Sequence, residues 1–585
     1  MRKLLAVLAL AALAAGCRRN PSEQLSRLSE EYVYTTLSFS PSGATSAGLH
    51  QYNKVDLDDR LDDLSSASLD RQRHFYEDFL DRLRRLPTRQ LSAEDRADAT
   101  ILEDQAKLAL LDLNEIHSAL HSPTTYVETL GNAFFAPFVL EYAPQPDRIR
   151  HIIARLQKVP LFLDQASTNL ISSPSIWTGV AIEENQGNID LVDKTIRAAV
   201  PADMRDAYAR AATPALDAMR KFQDYLKSSL ALRSDYSWRL GQDLYMRKFR
   251  YTLESGVEAD GTLQQATQQL QAVRAKMLEI AQPLYRQMFP GKKEQPGLSP
   301  DDRENQIVGA VLDKIAGRHS TRESYMDDAR KDLDEARAFV QEKHLLTLPA
   351  QSNLQVIPTP EFMRGIYSVG GFDPAPPLQP QLGAFYWVTP IPADWPPARV
   401  ESKLREYNFY KLKLLTIHEA MPGHYVQMQI SNSVEPKPRR LLRSLFGNGP
   451  YIEGWAQYAE QMMLDNGFLD HSPEMALTFA KEQLRVIANA ILDVRLQMLD
   501  MTDQDALDLM MKQTFQEKEE AEEKLQRAKL SSCQLPTYFV GWSGWLHVRD
   551  EYKQAKGGAY NLSTFNDAAL HEGAVPLPQL ISVLR

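Results

Sequence analysis

Apolar residues recur every three to four positions, with charges between them, over Leu61–Leu86, Asp95–Leu120, Asp147–Leu170, Met204–Ser229, Thr262–Met288 and Glu323–His344. That period predicts amphipathic helices. Proline and glycine punctuate them, as at Ser122-Pro123 and Pro290-Gly291, and no fixed-period repeat emerges. Between Gly370 and Arg399 the pattern changes. Pro374, Pro376, Pro377, Pro380, Pro390, Pro392, Pro396 and Pro397 forbid helix, while Ala384-Phe-Tyr-Trp-Val-Thr389 reads as a short strand. Helical periodicity returns at Ala398–Ile417, Gly454–Asn466, Pro473–Asp500 and Asp503–Leu530. The expected fold is mostly α, a large helical body with a deep cleft and a small β element near 384–389. Residues 31–369 are expected to form one side of that cleft and 370–585 the metal-binding catalytic region, the two packed as one body. An interdomain linker is the alternative reading of the proline-rich stretch.

Composition changes this picture at the N-terminus. Met1-Arg-Lys followed by an apolar run from Leu4 to Ala15 and then Gly16-Cys17 has the form of a signal peptide over 1–16. The run is too short to span a bilayer and no later run is long enough, so a soluble, tethered body is expected. Leu13-Ala-Ala-Gly-Cys17 resembles a bacterial lipobox, which makes Cys17 the lipidated residue and 17–30 the tether; an ordinary signal with an incidental cysteine is the alternative. Cys533 is the other cysteine, so a lipidated Cys17 leaves no intrachain disulfide. Net charge is −10 and becomes −12 once Arg2 and Lys3 leave with the signal, which argues against nucleic acid as partner and leaves the anchor as the sole membrane contact. Arg18-Arg19 lacks the Asp associated with inner-membrane retention, so the expected location is the bacterial envelope, at the outer membrane facing the periplasm. Oligomeric state is not legible.

The candidate chemistry lies in Thr416-Ile-His-Glu-Ala-Met-Pro-Gly-His-Tyr-Val-Gln427. On a straight helix residues six apart are turned about 120° from one another and separated by about 9 Å, too far to share an ion. Pro422 prevents a straight helix, because it cannot donate to the His418 carbonyl and it pushes Met421 out of helical geometry. Gly423 supplies the backbone freedom for a two-residue bulge that brings His424 to where a second histidine ligand belongs. Glu419 then faces metal-bound water as general base. A third ligand is needed, and Tyr451-Ile-Glu-Gly-Trp-Ala-Gln-Tyr-Ala-Glu460 offers Glu453 at the start of a helix, with Glu460 two turns later to orient a ligand from behind. The alternative has both histidines capping broken helix ends and Glu453 favoured by a helix dipole.

With these blocks in place, His-Glu-x-x-Pro-Gly-His and Glu-Gly-Trp, the chain resembles the bacterial family known as domain of unknown function 885, almost end to end. Pro41-Ser-Gly-Ala-Thr-Ser-Ala-Gly-Leu-His50 resembles the family's opening block, and Phe565-Asn-Asp567 with Gly573-Ala-Val-Pro-Leu577 its closing one. The resemblance implies a mostly helical, zinc metallopeptidase-like protein with His418, Glu419, His424, Glu453 and Trp455 at the matching positions. Elsewhere the chain departs. The family commonly shows Arg-Tyr…Pro-Gly-Gln…Tyr-x-x-Gly; in Leu530–Gly541 here, Gln534, Tyr538 and Gly541 align while the Arg-Tyr and Pro-Gly pairs are absent. Gln497 and Asn566 stand where histidines are expected, which implies altered specificity if the missing groups bind substrate and reduced or lost activity if they assist the chemistry.

The expected function is therefore a zinc-dependent peptidase hydrolysing amide bonds of a peptide in the cell envelope. Tyr538 is the candidate oxyanion donor, with a core tyrosine as the alternative. Tyr386 and its strand are candidates for pairing with an extended peptide, and Arg485 and Arg495 for binding a terminal carboxylate. Two rivals stand beside this reading: a metal-dependent amidase or esterase, and a lipid-anchored envelope binding protein whose zinc is structural or absent.

Overall fold

The computed structural model describes residues 20–292, 296–350, 352–359, 364 and 369–585; the expected signal segment and Cys17 lie outside them. Helices dominate, as the periodicity predicts. Some expected helices form nearly whole, among them Arg205–Ser228, Ala259–Met288 and Tyr325–Lys343. Others divide where the backbone demands it. The expected helix over 147–170 is Gln145–Leu156 followed by Val159–Asn169, with Pro160 in the first turn of the second. The expected run 503–530 breaks before helix Lys518–Leu530, where Phe515 takes a φ of 57°.

A two-residue ladder pairs β1 (Gln51–Tyr52) with β2 (Val55–Asp56). The larger sheet has three strands, β3 (Leu354–Pro358), β4 (Gly370–Asp373) and β5 (Ala384–Val388), in the order β3-β5-β4. β5, the anticipated strand, runs parallel to β3 and antiparallel to β4. Both its edges are taken, which corrects the expectation that it pairs with a peptide: a central strand has no free hydrogen-bonding edge to offer. β4 escapes sequence reasoning because its Gly370-Gly371 start carries almost no strand pattern.

The largest apolar core gathers Ala97 and residues from Tyr245 to Leu580, including Tyr386, Ile417, Tyr451, Trp455 and Trp545. It joins residues on both sides of the expected division at 369. A second core gathers Tyr126 to Leu230, and a third joins the N-terminal helices around Tyr32 and Phe79 to Leu441 and Leu442.

Candidate metal centre

His418 is next to last in α1 (Phe409–Glu419). The Asn408 carboxamide oxygen starts this helix by accepting from the Tyr410 and Lys411 amides at 3.0 and 3.3 Å. Three buried polar side chains fix its rotation. Lys411 pairs with Glu482, Lys413 pairs with Asp332 at 2.5 Å and with Glu335, and Thr416 Oγ1 meets the Tyr386 hydroxyl at 3.1 Å. Tyr386 is wholly buried, so the expectation that it contacts substrate is corrected: its phenol braces the histidine helix from behind.

The chain leaves α1 in a tight turn. The amides of Ala420 and Met421 both donate to the Thr416 carbonyl, at 3.0 and 3.2 Å, and the Gly423 amide donates to Ile417 O at 2.9 Å. Helix restarts at His424, the first residue of α2 (His424–Ser431). The expected two-residue bulge in one helix is thus replaced by two helices meeting end to end, because Pro422 has no amide to continue the ladder. At Gly423 a Cβ would lie 1.9 Å from the His418 carbonyl oxygen and 2.4 Å from that of Ile417, so glycine alone fits.

The third ligand comes from α3 (Gly449–Asp465), which Asn448 caps by accepting from the Tyr451 amide at 2.9 Å. Glu453 sits in the second turn of this helix and does not open it, as the sequence suggested. Its neighbours lock the arrangement. The Trp455 indole Nε1 donates to the Pro422 carbonyl at 2.9 Å, clamping the turn between the histidines. Gly454 faces Gly541 of α4 (Pro536–Lys556) so closely that a Cβ on Gly454 would lie 2.3 Å from the Gly541 carbonyl carbon. That backbone contact places Tyr538, one turn before Gly541, beside Glu453.

Among the described residues, His418, His424 and Glu453 form the one group of three His, Cys, Asp or Glu side chains with metal-ligand spacing, their ligand atoms all within 4.8 Å of one another. Glu453 Oε2 lies 3.4 Å from His424 Nε2 and 3.7 Å from His418 Nε2, and the imidazole rings stand at 88° with centroids 4.8 Å apart. Ligands at about 2.0–2.1 Å from a tetrahedral ion are themselves about 3.3–3.4 Å apart, so the two separations from Glu453 Oε2 are close to the edges of such a site. Glu453 Oε2 is buried and accepts no hydrogen bond. Two imidazole nitrogens and one carboxylate oxygen are a donor set that fits zinc with a fourth position left open. Behind the ligands, Glu460 Oε1 lies 2.9 Å from His418 Nδ1, and Gln457 Nε2 lies 3.2 Å from the same atom.

The electrostatics favour a cation. Burial would push the His418 imidazole down, but its contacts with Glu453 and Glu460 outweigh that and raise it to about 10. Burial likewise opposes ionisation of Glu453, yet the two imidazoles hold its carboxyl well below the usual range. Glu460 is raised, burial outweighing the attraction of His418. The Tyr538 phenol is pushed up to about 12, first by burial and then by the charge on Glu453.

The expected arginines are placed elsewhere. Arg485 of α5 (Pro473–Met498) is engaged by Glu520 at 2.7 Å and Glu482 at 3.6 Å, so its guanidinium belongs to the ion-pair network that includes the Lys411–Glu482 pair. Arg495 lies ten residues, about 15 Å, further along the same helix. Neither contacts the ligand atoms. The departures from the family pattern are braces: Gln497 Oε1 accepts from the Leu240 amide at 3.0 Å, Asn566 Nδ2 donates to Leu345 O at 2.8 Å, and the buried Cys533 gives its amide to Asp493 at 2.8 Å. Sequence reasoning missed Gln457, although its spacing of four from Glu453 puts it on the same helical face.

Residues 41–584 match the family described as bacterial protein of unknown function, DUF885. The chain is also similar to two solved structures. One, of a candidate lipoprotein of unknown function from Shewanella oneidensis, is 28% identical, with a TM-score of 0.80 over 96% of this chain and 99% of that one. The other, of a candidate lipoprotein from Colwellia psychrerythraea, is 17% identical, with a TM-score of 0.75 over 97% of this chain and 98% of that one, and shares the fold. No match is found among curated proteins.

Proposed function

The chain belongs to the bacterial DUF885 family, and from the site built on this fold we propose that it is a zinc-dependent peptidase of the cell envelope. The observation that carries the reading is the convergence of His418 Nε2, His424 Nε2 and Glu453 Oε2, with Glu419 next in sequence to the first ligand. Zinc held by those three side chains would supply a Lewis acid for a scissile carbonyl and make a nucleophile of water near neutral pH. Among the described residues no hydrogen bond or ion pair engages the Glu419 carboxylate, which leaves it free to take a proton from the attacking water and give it to the departing amine. Tyr538 accepts from Gln534 Nε2 at 3.4 Å and stays protonated at neutral pH, so its own hydrogen remains available to a developing oxyanion.

Two observations support an envelope location. The Leu13–Cys17 segment resembles a lipobox, and the Shewanella oneidensis relative is described as a candidate lipoprotein. The proposal places Cys17 as a lipid anchor at the outer membrane, the body facing the periplasm.

Elemental analysis tests the centre directly. A soluble chain starting at Arg18 is expected to hold about one zinc, and Glu453→Ala none, with peptide hydrolysis lost alongside. A parent that takes up no zinc after reconstitution would overturn the reading. The pH dependence has a definite sign. Below about pH 10 the metal-free site keeps a proton on His418 between two carboxylates, and zinc must displace it. Apparent zinc affinity should therefore rise with pH, by about tenfold per unit for one displaced proton. Competition against a chelator of known proton affinity between pH 6 and 8 checks this; a flat profile contradicts the protonated ground state.

A further inference from the structure

Arg527 lies in the last turn of α6 (Lys518–Leu530) and is exposed. Among the described residues no carboxylate pairs with it. Its guanidinium is nevertheless held in place, since Nη2 donates to the Gln534 carboxamide oxygen at 3.0 Å. The other end of that carboxamide donates to the Tyr538 hydroxyl at 3.4 Å. Arg527 also bears directly on Tyr538, countering the rise that burial and Glu453 impose on the phenol. Polar contacts thus run from Tyr538 through Gln534 to a guanidinium with most of its donors unspent.

We infer that Arg527 receives the free carboxylate at the C-terminus of a peptide, so that the enzyme removes residues from C-terminal ends. The inference rests on the peptidase reading and deepens it. A guanidinium offers a planar fork of donors that matches a carboxylate with two parallel hydrogen bonds, and here one amide already orients that fork. Arg527 and Tyr538 share the Gln534 carboxamide, so a carboxylate held by the guanidinium would lie on the Tyr538 side of the centre. Arg485, whose charge is already engaged by Glu520 and Glu482, cannot serve this way. An interior segment of a longer peptide lacks the terminal carboxylate that pairs with both ends of this fork. The reaction is ordinary hydrolysis: water adds across the last amide bond, releasing one free amino acid and a peptide shortened by one.

Binding to an inactive protein tests the assignment without relying on turnover. Zinc-loaded Glu419→Gln is dialysed against a pool of N-acetylated tripeptides varied at the last two positions, and separately against the same pool amidated at the C-terminus. The free acids are expected to be retained about tenfold to hundredfold more strongly, the range for hydrogen bonds to a charged group. In the double variant carrying Arg527→Met that ratio should fall to about one, and Arg527→Lys should recover only part of it. Because Arg527 is exposed, these variants should fold, which circular dichroism verifies. Equal retention of acids and amides, a preference that survives Arg527→Met, or no retention of either pool at millimolar concentration each overturns the inference. An acid preference that depends on Arg527, in a parent that hydrolyses no peptide, would uphold carboxylate recognition while sinking the peptidase reading.

Discussion

Glu419→Gln should keep about one zinc per chain and lose about 10²–10⁴-fold in peptide turnover, the usual contribution of a positioned general base. The expected separation of binding from chemistry follows from the geometry. Zinc would be held by His418, His424 and Glu453, whereas Glu419 belongs to no ion pair or hydrogen bond among the described residues. Glutamine preserves the shape of the side chain and its place at the end of the histidine helix, but it cannot accept a proton from water. The signature is a fall in kcat at unchanged zinc content and little changed peptide binding. Zinc lost together with activity would show that Glu419 acts on the centre itself; full activity would remove it from the mechanism.

The second large effect is expected at Gly423. A methyl group there would sit 1.9 Å from the His418 carbonyl oxygen, well inside any tolerable contact. The neighbouring atoms are backbone, so no side chain can swing aside. Gly423→Ala must therefore open the turn and move His424 away from His418. The fold is anchored by the large core from Tyr245 to Leu580, so the helices should survive the change. The expected result is a chain of near-parental helical content that binds zinc at least about 100-fold more weakly, the outcome of displacing one of three ligands. Zinc competition and circular dichroism on the same sample read both halves. Parental zinc affinity in Gly423→Ala would mean that the two histidines do not act together.

Much of this site is legible in the sequence because its parts are local. Six residues separate His418 from His424, and Pro422 and Gly423 announce that no straight helix lies between them. Glu453 and Glu460 are seven apart and so share a helical face. What the sequence could not convey is how the break is made. A bulged helix and two abutting helices both accommodate a proline, and the contact that clamps the break comes from Trp455, on another helix more than thirty residues away. The helix carrying Tyr538 was similarly hidden, since Gly541 and Gly544 weaken its helical pattern. Those glycines are there for contact: added Cβ atoms would meet Pro450 O at 2.1 Å and a Leu577 methyl at 2.5 Å. Arg485 and Tyr386 were misassigned for a common reason. A charged or phenolic side chain on a promising element looks available in sequence, and only packing reveals that Glu520 and Thr416 already engage it.

The hydrogen bond from Trp455 to Pro422 makes the histidine block and the Glu-Gly-Trp block a single inherited unit. Moved alone into another helical scaffold, the seven residues from His418 to His424 would carry their proline and glycine but leave the Pro422 carbonyl without its donor. The graft would keep the ligands and lose the clamp that aims them. The smallest transferable module is therefore two segments with their crossing angle, joined at the Trp455–Pro422 hydrogen bond. Drift in either block during divergence is constrained by the other across more than thirty intervening positions, so the pair should be gained or lost together.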